Sequence, residues 1–498
     1  MDTVSINHRG QWSTRMAFIL AAVGSAIGLG NIWKFPYIVG MYGGGAFILV
    51  YLVFILIIGM PVMMTEIMLG RRGRQNPVGT MQTLAMQAGQ SAAWRYVGWF
   101  GMVAGFLILS YYSVVAGEVM AYVFRAGSGA FDNQTADGIR AILTDFVSEP
   151  EKLLAWHTIF MVLTTVVVAR GVRLGLERTV RWLMPALFIL LVILVGYAMS
   201  LKGFGQAVNF LFEPDFDKLF YLQDAHGKFV LDEAGQRVFT WTPVMVAMGH
   251  SFFTLSLGMG AIMVYGSYLG REASISRVTL AIVAADTLVA ILAGLAIFPL
   301  VFTADLAPAQ GPDLIFLTLP LAFGTMPGGS LFGMLFFLLL LFAAWSSAIS
   351  LMEPAVAWLS ENRSKRFDRA AAASWIGVII WLLGIISVFA TSGTTLRDVF
   401  ESVAGWFGIE DARFTGKFFS LNLFNIIDFA TANIMLPLGG LAMIIFAAWV
   451  MRRESIQAEL AAERTFVLTL WRILIRYVTP LAIVFVFLYR LVPHPSSA

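Results

Sequence analysis

AAVGSAIGLGNIWKFPY, residues 21–37, begins as an apolar helix and then sets Gly28, Gly30, Asn31, Lys34 and Pro36 at the depth where a membrane-crossing helix is purely apolar. Each unpaired backbone group in hydrocarbon costs several kcal/mol. An interrupted helix therefore persists only where it lines a cavity, a ligand or other protein. A second stretch repeats the pattern: in GHSFFTLSLGMGAIMVYGSYL, residues 249–269, Gly258 and Gly260 flank Met259 after the hydroxyls of Thr254 and Ser256. Close helix packing would account for the glycines. It leaves Asn31, Lys34 and Thr254 unexplained. Two interrupted helices separated by five spans suit inverted five-helix repeats, in which half-helix N-termini face an anion and freed carbonyls face cations near the midplane.

The rest of the chain agrees with a membrane protein. Of 498 residues 59% are hydrophobic and 13% charged, against roughly 45–50% and 25% in soluble domains. Eleven apolar stretches are long enough to cross a bilayer, at 14–40, 44–70, 93–124, 153–170, 176–201, 242–268, 277–302, 331–359, 370–391, 423–451 and 465–492. Loops after the even-numbered spans are basic (Arg71, Arg72, Arg74; Arg170, Arg173, Arg178; Arg271, Arg277; Arg363, Lys365, Arg366; Arg452, Arg453), and the loop after span three is acidic. The positive-inside rule then places the N-terminus in the cytoplasm and the C-terminal tail outside an inner, or plasma, membrane. Between spans five and six, DAHGK and DEAGQ flank the alternating KFVLD, the pattern of a small hairpin. A net charge of +3 in short loop clusters argues against nucleic acid, and the absence of cysteine removes disulfides and thiolate metal sites. Five scattered histidines and no nucleophile or phosphate-loop motif argue against an enzyme.

Eight motifs make the chain resemble the neurotransmitter:sodium symporter family: RGQWSTR (9–15), GLGNIWKFPY (28–37), GGGAF (43–47), GMPVMMTE (59–66), YYS (111–113), GLER (175–178), SFFTLSLGMG (251–260) and WSSAISLMEP (345–354). The resemblance implies an all-α membrane protein of the LeuT-type fold, with two inverted five-helix repeats, one further helix, and the first and sixth helices broken at mid-membrane. The segments are then a gate segment at 1–13, a first repeat at 14–201, an outer loop at 202–241, a second repeat at 242–451, and span eleven with its tail at 452–498. The twelfth span of many relatives is missing, and 221–241 resembles an insertion. The implied assembly is a monomer or weak dimer.

By the same resemblance the chain is a sodium-coupled symporter of a neutral, hydrophobic or aromatic L-amino acid, with two ion sites built of hard oxygen donors. Site one comprises the Ala26 carbonyl, Asn31, Thr254, Asp286 and a substrate carboxylate oxygen. Site two comprises the carbonyls of Gly24, Ile27 and Ala343 and the hydroxyls of Ser346 and Ser347. Chloride-dependent relatives build an anion site at positions that hold Tyr51, His250, Thr254 and Ala290 here. Ala290 supplies no donor and Asp286 brings its own charge, so no chloride is expected. At His250, a packed neutral ring competes with a proton-return role. Gly28 replaces the aspartate of amine-carrying relatives, so the ligand must bring its own carboxylate. That group is expected to meet sodium one, the amides of Leu29 and Gly30 and the Tyr112 hydroxyl. The amine would meet Ala26, Phe253, Thr254 and Ser256; Ile108, Phe253, Met259, Ser347 and Leu351 would enclose an apolar side chain. Lys34 with Asp428 would close the outer path over Phe253, and Arg9 with Glu361, beside Trp12, the inner one. Glu66 is expected to hydrogen-bond the broken segments. A channel, or a non-transporting sensor on the same scaffold, are the competing readings.

Overall fold

A chain in hydrocarbon must satisfy its backbone internally, and this one does so with helices. The computed structural model describes residues 12–224, 228–306, 313–361, 368–391, 401 and 422–491. Among these, nine helices are long and apolar enough to cross a membrane: Gly45–Gly73, Ala92–Gly127, Pro150–Ala169, Val172–Met199, Ile275–Thr303, Gly329–Glu361, Arg369–Thr391, Leu423–Val450 and Thr465–Leu488. Two further crossings are divided. Span one is Arg15–Ala26 followed by Gly30–Met41, bent by 52°. Span six is Thr242–Thr254 and Ala261–Ser267 with non-helical backbone between. The eleven crossings fall within a few residues of the apolar stretches, because some twenty residues of sustained hydropathy average out any single residue.

Prolines shape the spans. π-helical turns at Gly30–Lys34, Ile55–Gly59, Leu314–Thr318, Phe429–Met435 and Leu474–Val478 each end two residues before a proline, at positions 36, 61, 320, 437 and 480. A proline has no N–H and its ring presses on the carbonyl four residues back, and the wider turn relieves that crowding. In span two the carbonyl stranded by Pro61 is that of Ile57. It accepts the Thr479 hydroxyl of span eleven at 2.9 Å, while Trp471 donates to the Pro61 carbonyl at 3.2 Å. Span eleven thus fastens the bend in span two.

Spans one, two, six and seven pack against one another, and spans three, four, eight and nine form a second group. Span three lies against eight, four against nine and two against seven, so each pair is five spans apart, as inverted repeats require. The loop expected to be a hairpin is different. Residues 221–223, 229–231 and 237–239 pair in a cycle: Leu222 N–H donates to Val238, Val238 to Val230, and Val230 to Leu222, at 2.9–3.0 Å. Asp232 tightens one turn by accepting the amides of Ala234 and Gln236. The alternating run identified the paired middle segment but not the two partners that enclose it.

Candidate functional site

The two breaks face each other because their backbone donors are diverted. Past Ala26, Ile27 is extended (φ −71°, ψ 108°). Gly28 N–H donates to the Asn31 side-chain oxygen at 3.1 Å and Leu29 N–H to the Tyr112 hydroxyl at 3.2 Å. In a continuous helix these amides would have served the carbonyls of Gly24 and Ser25. Ser25 receives the Ser256 hydroxyl instead, at 2.7 Å, and the Gly24 carbonyl loses its helical donor. In span six the backbone turns through left-handed conformations at Ser256, Gly258 and Gly260 (φ +53°, +82° and +79°). The buried Glu66 of span two accepts the Gly258 N–H at 2.6 Å, so this carboxyl does hold the broken segment.

Beside the break, Asp286 of span seven is fully buried. Asn31 donates to it at 2.7 Å, Thr254 at 3.1 and 3.2 Å to its two oxygens, and Tyr51 at 3.4 Å. Four spans therefore converge on one carboxyl group, and Ala290, one turn further along, is buried without a polar group to add. His250 stacks on Phe35 (centroids 5.8 Å apart) and meets Tyr51 at a tilt (5.6 Å, 45°), and among the described residues neither ring nitrogen has a hydrogen-bond partner. A cation fits this cluster chemically, since a buried carboxylate among neutral donors lacks a counter-charge.

On the other side of the break the groups are neutral. A Cβ on Gly24 would come within 3.2 Å of that of Ser346, so span one and span eight touch there. The Ser346 hydroxyl donates within its own helix, to Phe342 and Ala343, at 3.1 Å each. With its proton on the Phe342 carbonyl the hydroxyl keeps its oxygen lone pairs, beside the Ala343 carbonyl, to offer to a cation.

All eleven residues expected around the substrate, together with Gly28, line one cavity between spans one, three, six and eight. A Cβ on Gly28 would lie 3.1 Å from the Tyr112 hydroxyl and 3.3 Å from Ser347. The Ser256 hydroxyl donates to the Ser25 carbonyl, which orients it and leaves its oxygen lone pairs to accept at the cavity wall. Phe253 separates this cavity from a second one lined by Tyr111, Phe424 and Asp428, away from the basic loops. Over the Phe253 ring lies the Lys34 ammonium, 4.9 Å from its centre and 4.0 Å from the Asp428 carboxylate. Tyr111 donates to Asp428 at 3.0 Å, a third member of this latch that the motif reading missed.

At the basic end Trp12 is buried. Its indole donates to the Tyr265 carbonyl at 3.1 Å, and its ring meets Phe18, Tyr265 and Tyr268 edge-on. Ser13 hydrogen-bonds Glu177 through both its amide and its hydroxyl. Arg9 lies outside the described residues; Glu361 accepts the amide and side chain of Asn76 at 2.8 and 2.7 Å. Sequence reading also missed a neighbouring buried carboxylate, Glu353, which takes Arg369 at 2.6 Å and Tyr268 at 3.0 Å. Its signal was available: an acid inside an apolar run, followed by an arginine past the next loop.

A model described as the Sodium:neurotransmitter symporter family matches residues 9–135 and 140–417. An uncharacterized sodium-dependent transporter of Bacillus subtilis, YhdH, is 35% identical over 96% of this chain and 97% of its own length. An uncharacterized sodium-dependent transporter of Haemophilus influenzae is 29% identical, covering 98% and 100% of the two chains. The crystal structure of MhsT in complex with L-phenylalanine matches with a TM-score of 0.80 at 38% identity, covering 96% of this chain and 99% of that one. With the breaks, the buried oxygen clusters and these relatives in agreement, the chain belongs to the sodium:neurotransmitter symporter family, and is a sodium-coupled membrane carrier of the LeuT-type fold rather than an enzyme.

Proposed function

We propose that this carrier moves a neutral, apolar or aromatic L-amino acid together with sodium at two sites, and without chloride. The observation that carries the reading is the contact of Gly28 with Tyr112 and Ser347, which leaves no room for a protein carboxylate to pair with an amine. A ligand carboxylate has donors at hand instead, in the Leu29 amide and the Tyr112 hydroxyl, which lie together at the break. Ile108, Met259 and Leu351 give the remaining wall an apolar character, and MhsT, bound to L-phenylalanine, supports the aromatic end of the range. Ala26, Asn31, Thr254 and Asp286 are the proposed holders of the first ion, and Gly24, Ile27, Ala343, Ser346 and Ser347 of the second. Asp286 takes the place of a bound anion.

The basic loops support a cytoplasmic N-terminus and an inner-membrane location, with Lys34, Asp428 and Phe253 closing the outer path, and Trp12, Glu361 and Arg9 the inner one. The repeats at 14–201 and 242–451 together give alternating access to the breaks from the two sides, and the carrier works as a monomer or weak dimer. The test is a binding screen of the twenty amino acids, and of their decarboxylated amines, with and without sodium. Leucine, methionine, phenylalanine or tryptophan should bind only with sodium, and the amines should not bind. Equal binding of the amines would overturn the carboxylate's role. Sodium-dependent accumulation in proteoliposomes separates a carrier from a sensor, which binds without accumulating, and from a channel, which passes ions without stoichiometric substrate.

A further inference from the structure

The loop before span six carries a line of aromatic rings that the transport reading does not use. Phe216 stacks on Phe220 (6.5 Å, 12°), Phe220 on Phe239 (5.7 Å, 7°), and Phe239 meets Trp241 edge-on at 5.4 Å. The line ends on span eleven, where Trp241 meets Phe485 at 6.5 Å. These rings are far from buried: Phe216 is 49% exposed, Phe239 50%, Trp241 39% and Phe485 54%. In water that exposure would be costly, and a patch of this kind marks an interaction surface.

The occupant follows from continuity. Phe485 belongs to a membrane-crossing helix most of whose apolar surface is not buried in protein, so it faces lipid. It sits six residues before the end of that helix at Leu491, about 9 Å along the axis. A ring beside it lies between the upper acyl chains and the headgroups, where tryptophan and other aromatics are favoured for their apolar body and polar edge. Arg237 covers the Phe229 ring at 4.3 Å and pairs with Asp217 at 2.9 Å, which sets the charged part of the loop apart from the stacked line.

We propose that Phe216, Phe220, Phe239 and Trp241 form a membrane-interface anchor whose aromatic line rests in the headgroup and upper acyl region of the bilayer. The leaflet, the outer one, follows from the orientation proposed above; the lipid contact does not depend on it. Trp241 immediately precedes Thr242, the first residue of the half-helix that carries Phe253. The anchor therefore holds the entry of that half-helix at the membrane surface.

The chain has no cysteine, so one introduced thiol is unique. Phe239→Cys, Phe216→Cys and Glu233→Cys, each labelled with bimane in proteoliposomes, are compared for quenching by phosphatidylcholine carrying a shallow acyl-chain nitroxide and by aqueous iodide. Phe216→Cys stands at the end of the line and leaves the Phe220, Phe239 and Trp241 rings in place, so it reads the same surface if Phe239→Cys disturbs the stack. At 216 and 239 the nitroxide lipid is expected to quench several-fold more than iodide. At the exposed Glu233 position the order should reverse. If 216 and 239 respond as 233 does, the loop stands in water and the proposal fails. If they escape both quenchers and instead self-quench as protein density rises, a second copy covers them and the proposal fails equally. Sodium-dependent amino-acid binding by the same variants is read separately, so loss of the anchor and loss of the transport reading are distinguishable.

Discussion

Two oxygen clusters flank the break in span one, and they are built on different physics. The Asp286 cluster joins spans one, two, six and seven around a fully buried carboxyl group with three side-chain donors. The Ser346 cluster joins spans one and eight through hydroxyls and carbonyls that carry no net charge, and the Ser346 hydroxyl already bonds within its own helix. A charge inside a low-dielectric site acts over its whole neighbourhood and demands a partner. Neutral dipoles act only where geometry aligns them. On the proposed assignment of the two ion sites, the first cluster governs whether a cation binds, and the second whether it binds in one conformation rather than another.

The strongest test of this contrast removes the charge alone. Asp286→Asn keeps the size and takes away an interaction worth on the order of 4 kcal/mol at about 4 Å and an effective dielectric near 20. Apparent sodium affinity in binding or uptake titrations should fall by roughly a hundredfold or more. A fall of only a few-fold would mean that the carboxyl group is structural. Ser346→Ala combined with Ser347→Ala removes two neutral oxygens, each hydrogen-bond-like ligand being worth about 1 kcal/mol, and should lower sodium affinity roughly thirtyfold. If this pair proves the more damaging change, the ranking of the two clusters reverses.

Smaller effects sharpen the picture at the edge of the cavity. Lys34 and Asp428 are both about a third exposed or less and lie 4.0 Å apart, so their pairing is worth no more than about 1 kcal/mol. Lys34→Ala should speed amino-acid dissociation by a few-fold in a washout assay and leave sodium affinity nearly unchanged. An unaltered off-rate would show that Phe253 closes the path without the latch. The smallest expected effect is none at all. Replacing chloride by gluconate at fixed sodium should leave wild-type uptake within error, because Asp286 already holds the negative charge. A several-fold loss would require another anion beside Tyr51, Thr254 and His250.

The spans and their breaks were legible because both rest on composition over many residues or on residue types foreign to hydrocarbon, such as Asn31 and Lys34. Glu66 was legible for the same reason. What escaped were pairings across long sequence separations: Ser256 with the Ser25 carbonyl, Tyr111 with Asp428, Glu353 with Arg369 and Tyr268. A hydroxyl or carboxyl announces that it needs a partner, but the choice among candidates is made by the packing of four helices at once. The loop failed differently. Its alternating run is two-sided, and a strand of five residues carries no mark of whether one neighbour or two will pair with it.

That loop also has a practical value. At its tip Gly235 has a left-handed backbone, φ +74°, and open space where a side chain would point, while the Asp232 carboxylate holds the turn from within. Insertions are tolerated best at exposed tips whose loss of contact is small. A short epitope spliced in at Gly235 should leave the carrier intact and give an antibody a handle on one face of the membrane, so that labelling of unbroken cells would read out which side this loop faces.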